Sequence, residues 1–276
     1  MKKRIITAFG MAAVFVPVLF FTDTFALPLA CAALSGFAAW EILDCCGIRK
    51  NIHMTVFSVL FAALMPFAAR YLPATRFFTV VFPLCALTVV FFLVCAAFSD
   101  EKIPLKDSAV SSALLIYSSV GFSALVLIND IDGHGFYLFL AVIISAWATD
   151  MFAYFTGMLF GKHKLIPKVS PKKTVEGAVG GVVFAVGGMI LYGFIVSRVS
   201  PEIRPNYLVI GIATVFTSVL SQAGDLIMSA VKRTYGIKDF GKIFPGHGGV
   251  LDRFDSVIAV SCIMFLAGSL FRFFTA

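Results

Sequence analysis

Charge is scarce in this sequence. Asp, Glu, Lys and Arg make up 13% of its 276 residues, against 60% hydrophobic residues and a mean hydropathy of +0.97. So few charges cannot clothe a soluble globular surface, and the composition reads as an integral membrane protein whose length counts spans, not soluble domains. Metal-ligand spacing is absent among the six Cys, at 31, 45, 46, 85, 95 and 262. Nearly all lie in apolar runs, so they imply no disulfide framework and are most simply small hydrophobes. The net charge of +7 comes without a basic arm or an interleaved aromatic platform, which excludes a nucleic-acid footprint. Anionic lipid head groups and an anionic nucleotide are the partners it favours. The 31 Phe supply lipid-facing and packing surface.

What is present is a series of nine apolar segments, at 5–21, 25–43, 54–69, 77–98, 109–128, 136–160, 177–196, 207–231 and 257–274. Most approach the ~20 residues that a spanning helix needs. Residues 1–28 imitate a signal peptide, with Lys2, Lys3 and Arg4 ahead of an apolar run and small residues near Ala26. That run is longer than a usual signal core, and a second apolar segment follows at once, so it is read as a retained first span. The expected fold is an all-α polytopic bundle of about nine transmembrane helices with a cytoplasm-facing polar cavity. Residues 1–128 form an N-terminal region of about five spans. Residues 129–276 form a C-terminal region of about four, with polar loops at 161–176 and 232–256.

Alternating sides from a cytoplasmic N-terminus puts all but five of the 22 Lys and Arg on the cytoplasmic face. The exceptions are Arg70, Arg76, Arg198, Arg204 and Arg272. This positive-inside bias favours nine spans and places both charge-rich loops in the cytoplasm. The turn at 129–134, with Asp130, Asp132 and His134, falls on the outer side and is read as a plain connection.

The densest polar chemistry lies at 222–256. Lys232, Arg233, Lys238, Lys242 and Arg253 accompany Asp225, Asp239, Asp252, Asp255 and His247 there. If 207–231 is helical, Gln222, Asp225, Ser229 and Lys232/Arg233 share one face. Asp225 is flanked by long apolar runs, and an ionised carboxylate in hydrocarbon costs at least ~2.5 kcal/mol unless it is paired or ligates a metal. Pro245-Gly246-His247-Gly248-Gly249 must turn, and its glycines let backbone N–H groups approach an anion. Asp252 and Asp255, three residues apart, would share a face at the start of the next helix. Carboxylates beside this many cations suit Mg²⁺ and a polyphosphate.

Two further segments stand out. In 147–161, Asp150, Tyr154, Gly157 and Gly161 share a face, so Asp150 is an intramembrane carboxylate and the glycines offer a close helix contact. In 162–177, Ser170-Pro171-Lys172-Lys173-Thr174-Val175-Glu176-Gly177 combines cations with Thr174, a cap for the next helix, whose N-terminus favours an anion. Gly177 and Gly181 form a G-x-x-x-G pair suited to tight packing within one chain or in a homodimer.

The run S-x-x-K-R-x4-K-D-x5-P-G-H-G-G-x-x-D-R-x-D, from Ser229 to Asp255, resembles the signature of phosphatidate cytidylyltransferases, the CDP-diacylglycerol synthases. The S-P-K-K-T-x-E-G element and W-x-x-D-x-x-A-Y-x-x-G-x-x-x-G-K, from Trp147 to Lys162, are similar to the same family's segments. The resemblance covers essentially the whole chain. It implies CTP + phosphatidate → CDP-diacylglycerol + pyrophosphate, with Mg²⁺ and room for a second cation, in a bacterial-type inner membrane. Asp225, Asp252 and Asp255 would be metal ligands. Lys232, Arg233, Lys238 and Arg253 would neutralise the triphosphate, and His247 with Gly246, Gly248 and Gly249 would bind phosphate oxygens. Ser229 would meet metal or phosphate, Asp239 would orient a base, and Asp150 would line the cavity. Ser170, Lys172, Lys173, Thr174 and Glu176 would contact CTP or the lipid phosphate.

Two other readings compete. A CTP-dependent kinase of a polyprenol- or phytol-type alcohol would need a general base, which Asp150 or Asp225 could supply. An ion-coupled transporter would use the same two carboxylates, but no inverted repeat relates the chain's halves.

Overall fold

A computed structural model describes residues 2–275. The side chains at positions 2–6, 8 and 14 fall outside the described residues, and with them the expected cytoplasmic cations Lys2, Lys3 and Arg4. Among the described residues there are nine α-helices: α1 Lys2–Phe20, α2 Ala26–Cys45, α3 Ile52–Tyr71, α4 Ala74–Ala97, α5 Leu105–Asn129, α6 Gly135–Phe160, α7 Val175–Val199, α8 Tyr207–Thr234 and α9 Leu251–Leu270. Eight of them, α2 to α9, are long and apolar enough to cross a membrane. In hydrocarbon every backbone N–H and C=O must be satisfied within the segment, and the helix does this. The protein is therefore an all-α, multi-pass membrane protein.

Each helix falls on one of the nine expected segments, with ends shifted by a few residues. The largest shift is in α9, which starts six residues before the expected 257 and ends before 274. Hydropathy excluded Asp252, Arg253 and Asp255 from the span. They nonetheless fill the first turn and a half of the helix, where acidic side chains suit its positive end.

Among the described residues four short strands add to the helices: β1 Lys164–Ile166, β2 Ser170–Thr174, β3 Arg204–Pro205 and β4 Phe274–Thr275. β1 and β2 form an antiparallel hairpin between α6 and α7, with Lys164 opposite Thr174 and Ile166 opposite Ser170. β3 and β4 pair antiparallel, Arg204 with Thr275 and Pro205 with Phe274.

The chain divides into two compact units. The first comprises Met1–Val126 and Thr234–Arg253. In it α2 packs on α3, with Gly36 against Val59 and Ala63, and α3 packs on α4. Asn51 caps α3, its Oδ1 accepting from the N–H of Met54 at 3.2 Å. The second unit comprises Leu127–Arg233 and Phe254–Ala276. Its core contact is α6 against α7, made close by small residues. A Cβ on Gly177 would meet the Ala153 carbonyl at 2.6 Å, and one on Gly181 would meet the Ala153 Cβ at 2.9 Å. The G-x-x-x-G pair is thus spent on packing within the chain. Buried hydroxyls join α6 to α8 in the same unit, Ser145 with Thr217 at 3.0 Å and Thr149 donating to Ser218 at 2.9 Å.

Candidate active site

In the second unit, α6, α8, α9 and the hairpin converge on a group of charges. Asp225 lies mid-way along the polar face of α8, and Lys173, from β2, reaches its Oδ2 at 2.5 Å. Both side chains keep about a quarter of their exposure, 24% for Lys173 and 27% for Asp225. The hydroxyl of Ser229, one helical turn on, donates weakly to Asp225 Oδ1 at 3.4 Å. Gln222, one turn earlier on the same face, donates to the Ala178 carbonyl at 3.2 Å and ties α8 to α7.

Asp150 on α6 accepts a hydrogen bond from Ser256 Oγ at 2.9 Å. Ser256 also contacts the Ser221 carbonyl, so one hydroxyl on α9 bridges α6 and α8. Asp255, buried, accepts at Oδ1 from the N–H of Ser256 at 2.9 Å. Asp255 interacts electrostatically with Asp225, Asp150 and Lys232, and Asp150 interacts with Asp225 and Lys173. Three carboxylates and two lysines therefore share one neighbourhood. The sequence groups Asp225, Asp252 and Asp255 as metal ligands and sets Asp150 in the cavity lining; in the structure Asp150 adjoins Asp225 and Asp255, and Lys173 is the direct partner of Asp225.

The hairpin presents the rest of the Lys-rich segment. Thr174 caps α7, its Oγ1 accepting from the N–H of Gly177 at 3.1 Å, in keeping with its place ahead of the helix. Gly157 and Gly161 make room for Thr174, since a Cβ on either would meet Thr174 Oγ1 at 2.8 Å. Lys172 points to solvent, and Ser170 is partly exposed. Glu176 accepts from the N–H groups of Lys162 and His163, at 3.1 and 3.2 Å, and pairs with the His163 ring at 2.6 Å. It fastens the start of the hairpin to α7, with 26% of its side chain still exposed. Arg233 donates to the Val169 carbonyl at 3.3 Å, tying the end of α8 to the hairpin turn.

The first unit holds the glycine turn. Gly246 and Gly248 have φ of 80° and 92°, the left-handed region that glycine enters without strain. The N–H groups of His247 and Gly248 both donate to the Phe244 carbonyl, at 2.8 and 3.1 Å. Asp252 Oδ2 accepts from the N–H of Gly249 at 2.9 Å and of Phe240 at 2.7 Å. Of the glycine amides expected to meet phosphate, those of Gly248 and Gly249 are thus engaged within the chain, because a tight turn satisfies its own donors first. Arg253 Nε donates to the His247 carbonyl at 2.8 Å. Lys238 and Asp239 are exposed and line, with Trp40, Asp44 and Lys242, a cavity of about 580 Å³. Asp252 belongs to this unit, and Asp225, Asp255 and Asp150 belong to the second.

Glu41, on α2, escaped the sequence reading. It is 2% exposed, and its carboxylate accepts from the N–H of Val250 at 2.9 Å and of Leu251 at 3.0 Å. The signal was available: an acidic residue inside an apolar segment, the criterion that singled out Asp150 and Asp225.

Outside the spans, the phenol of Tyr235 donates to Asp107 Oδ1 at 2.9 Å. Burial, with Cys46 and Asp107 beside it, pushes this phenol above its ordinary range.

Residues 2–271 match the model of the Cytidylyltransferase family. The chain belongs to that family. It is 41% identical over 157 residues to the phosphatidate cytidylyltransferase of Bacillus subtilis strain 168, a match covering 56% of each chain. It is 32% identical over 266 residues to that of Staphylococcus haemolyticus, covering 94% of this chain and 96% of the relative. It is also 32% identical over 279 residues to that of Haemophilus influenzae, covering 94% and 95%. The match thus spans just over half of the Bacillus protein's length and nearly all of the other two.

Proposed function

We propose that the protein transfers the cytidylyl group of CTP to phosphatidate, giving CDP-diacylglycerol and pyrophosphate. The observation that carries this is similarity along 94% of the chain to a protein named phosphatidate cytidylyltransferase, together with an unbroken Ser229–Asp255 signature. A phosphate oxygen of phosphatidate attacks the α-phosphorus of CTP, the bond to the β-phosphate breaks, and pyrophosphate leaves. The nucleophile is already ionised at neutral pH, so no strong base is required. Catalysis then rests on alignment and charge neutralisation.

Lys173, Lys232, Arg233, Lys238 and Arg253 supply the positive charge, with Lys172 at the hairpin edge. Contact with phosphate at the glycine turn falls to the side chains of His247 and Arg253, since the turn's amides at 247–249 are engaged. Asp225 and Asp255, with Asp252 as read from the sequence, are the proposed Mg²⁺ ligands, and Asp150 joins the first two. Carboxylate and hydroxyl oxygens are the donors that a hard cation takes, and Mg²⁺ held there would neutralise phosphate oxygens. Among the described residues no group of three or more His, Cys, Asp or Glu is arranged as metal ligands. Lys173 would have to leave Asp225, and its ammonium would then be available to a phosphate.

Both charge-rich loops would face the cytoplasm of a bacterial-type inner membrane, where CTP is found. The test is the product formed by purified protein from CTP, phosphatidate and Mg²⁺: a CDP-lipid supports the reading, and transport without nucleotide consumption opposes it.

A further inference from the structure

Glu41 is a buried carboxylate two hundred residues away in sequence from the groups it holds. Its Oε1 accepts from Val250 N–H and its Oε2 from Leu251 N–H, the last amide before α9 and the first within it. Two glycines, Gly241 in the run between Asp239 and Pro245 and Gly249 of the turn, leave room for it. A Cβ on Gly241 would come within 2.3 Å of Glu41 Oε1, and one on Gly249 within 2.2 Å. Neither glycine has a positive φ, so space, not backbone conformation, is the reason for glycine at these positions. A carboxylate in a membrane protein's interior is expensive unless its lone pairs are satisfied, and here two amides at a helix's positive end satisfy them. Asp252 meanwhile holds Gly249 and Phe240, so the two acids together hold four amides between 240 and 251.

We propose that Glu41 is a positioning residue for the catalytic turn. It fixes the start of α9, and with it Asp252, Arg253 and the His247 turn, by holding the backbone amides of Val250 and Leu251. This rests on the activity proposed above. A glutamine at position 41 has one carbonyl oxygen for two amides and would turn an NH₂ group on the other, so charge and geometry are both lost.

The test uses full-length protein in detergent, comparing wild type, Glu41→Gln, Gly249→Ala and Glu41→Asp/Gly249→Ala. kcat, KM for CTP and KM for phosphatidate are measured per folded, monodisperse molecule, and amide hydrogen exchange is followed over 240–252. Glu41→Gln is expected to lower kcat about 100-fold, the size of effect that misplacement by an ångström produces. KM for phosphatidate should stay within about twofold, while exchange at Val250 and Leu251 accelerates about tenfold. Glu41→Asp, a shorter carboxylate, should restore part of the activity lost in Gly249→Ala. A merely structural Glu41 would lower the yield of folded protein and leave kcat per folded molecule unchanged, and that result overturns the proposal. Should wild-type protein make no CDP-lipid, the activity itself fails. Unchanged exchange at 250 and 251 in Glu41→Gln would then overturn the positioning role separately.

Discussion

Lys173 Nζ lies 2.5 Å from Asp225 Oδ2, joining the hairpin ahead of α7 to the polar face of α8. The sequence points each residue at a ligand, Lys173 at phosphate and Asp225 at a metal. In the structure each is the other's counter-ion. The pair explains how a carboxylate on an apolar helix is tolerated without a metal: an ammonium stands beside it.

Removing either partner should therefore have two effects. Asp225→Asn is expected to abolish turnover while the protein still inserts, and near-normal activity would sink the metal assignment. Lys173→Ala should cost about 1–3 kcal/mol of stability, between the ranges for exposed and buried pairs, because a half-buried carboxylate loses its counter-ion. Thermal unfolding in detergent measures this, and the double variant should be less destabilised than the sum of the singles.

Ser256 hydrogen-bonds Asp150 and reaches the Ser221 carbonyl. Ser256→Ala should leave the half-buried Asp150 carboxylate without its hydroxyl donor, at a cost of about 1–3 kcal/mol. Turnover should fall along with stability, because Asp150 adjoins Asp225 and Asp255. Asp150→Asn, which keeps a hydrogen-bond acceptor, should be milder in melting temperature than in rate.

The glycines of α7 should divide sharply. Gly177→Ala and Gly181→Ala push a methyl into α6 and are expected to cost about 1–3 kcal/mol each. Gly187→Ala and Gly188→Ala meet nothing within 4 Å. They should be neutral or stabilising by up to about 1 kcal/mol through helix propensity. Melting temperatures of the four variants, each in the same detergent, check the ranking.

Asp252→Ala removes the acceptor of two backbone N–H groups, those of Phe240 and Gly249. It should accelerate hydrogen exchange across 240–249, leaving exchange in α6 and α7 unchanged. A metal role alone would alter turnover without altering exchange in metal-free protein.

Much of this was legible in the sequence, for physical reasons that differ between elements. A spanning helix announces itself through length and hydropathy, so all nine helices were located within a few residues. Thr174 was recognisable as a cap because a hydroxyl just ahead of an apolar run has few other uses. The hairpin Lys164–Ile166/Ser170–Thr174 was not legible, since three to five residues of Lys, Pro and Ser carry no period-two apolar pattern. Partnerships were the least visible. Lys173 with Asp225, Asp150 with Ser256 and Glu41 with Val250 join positions fifty to two hundred residues apart. Periodicity reports which face a residue occupies and nothing about what faces it.

The central claim is cytidylyl transfer to a lipid phosphate. The most direct measurement follows two labels in CTP, one at the α-phosphate and one at the γ-phosphate, with purified protein, phosphatidate and Mg²⁺. The account predicts α-label in the lipid phase and γ-label released as pyrophosphate in equal amount, both lost in Asp225→Asn. γ-Label in lipid with CDP left in solution would contradict it and assign the protein to lipid phosphorylation.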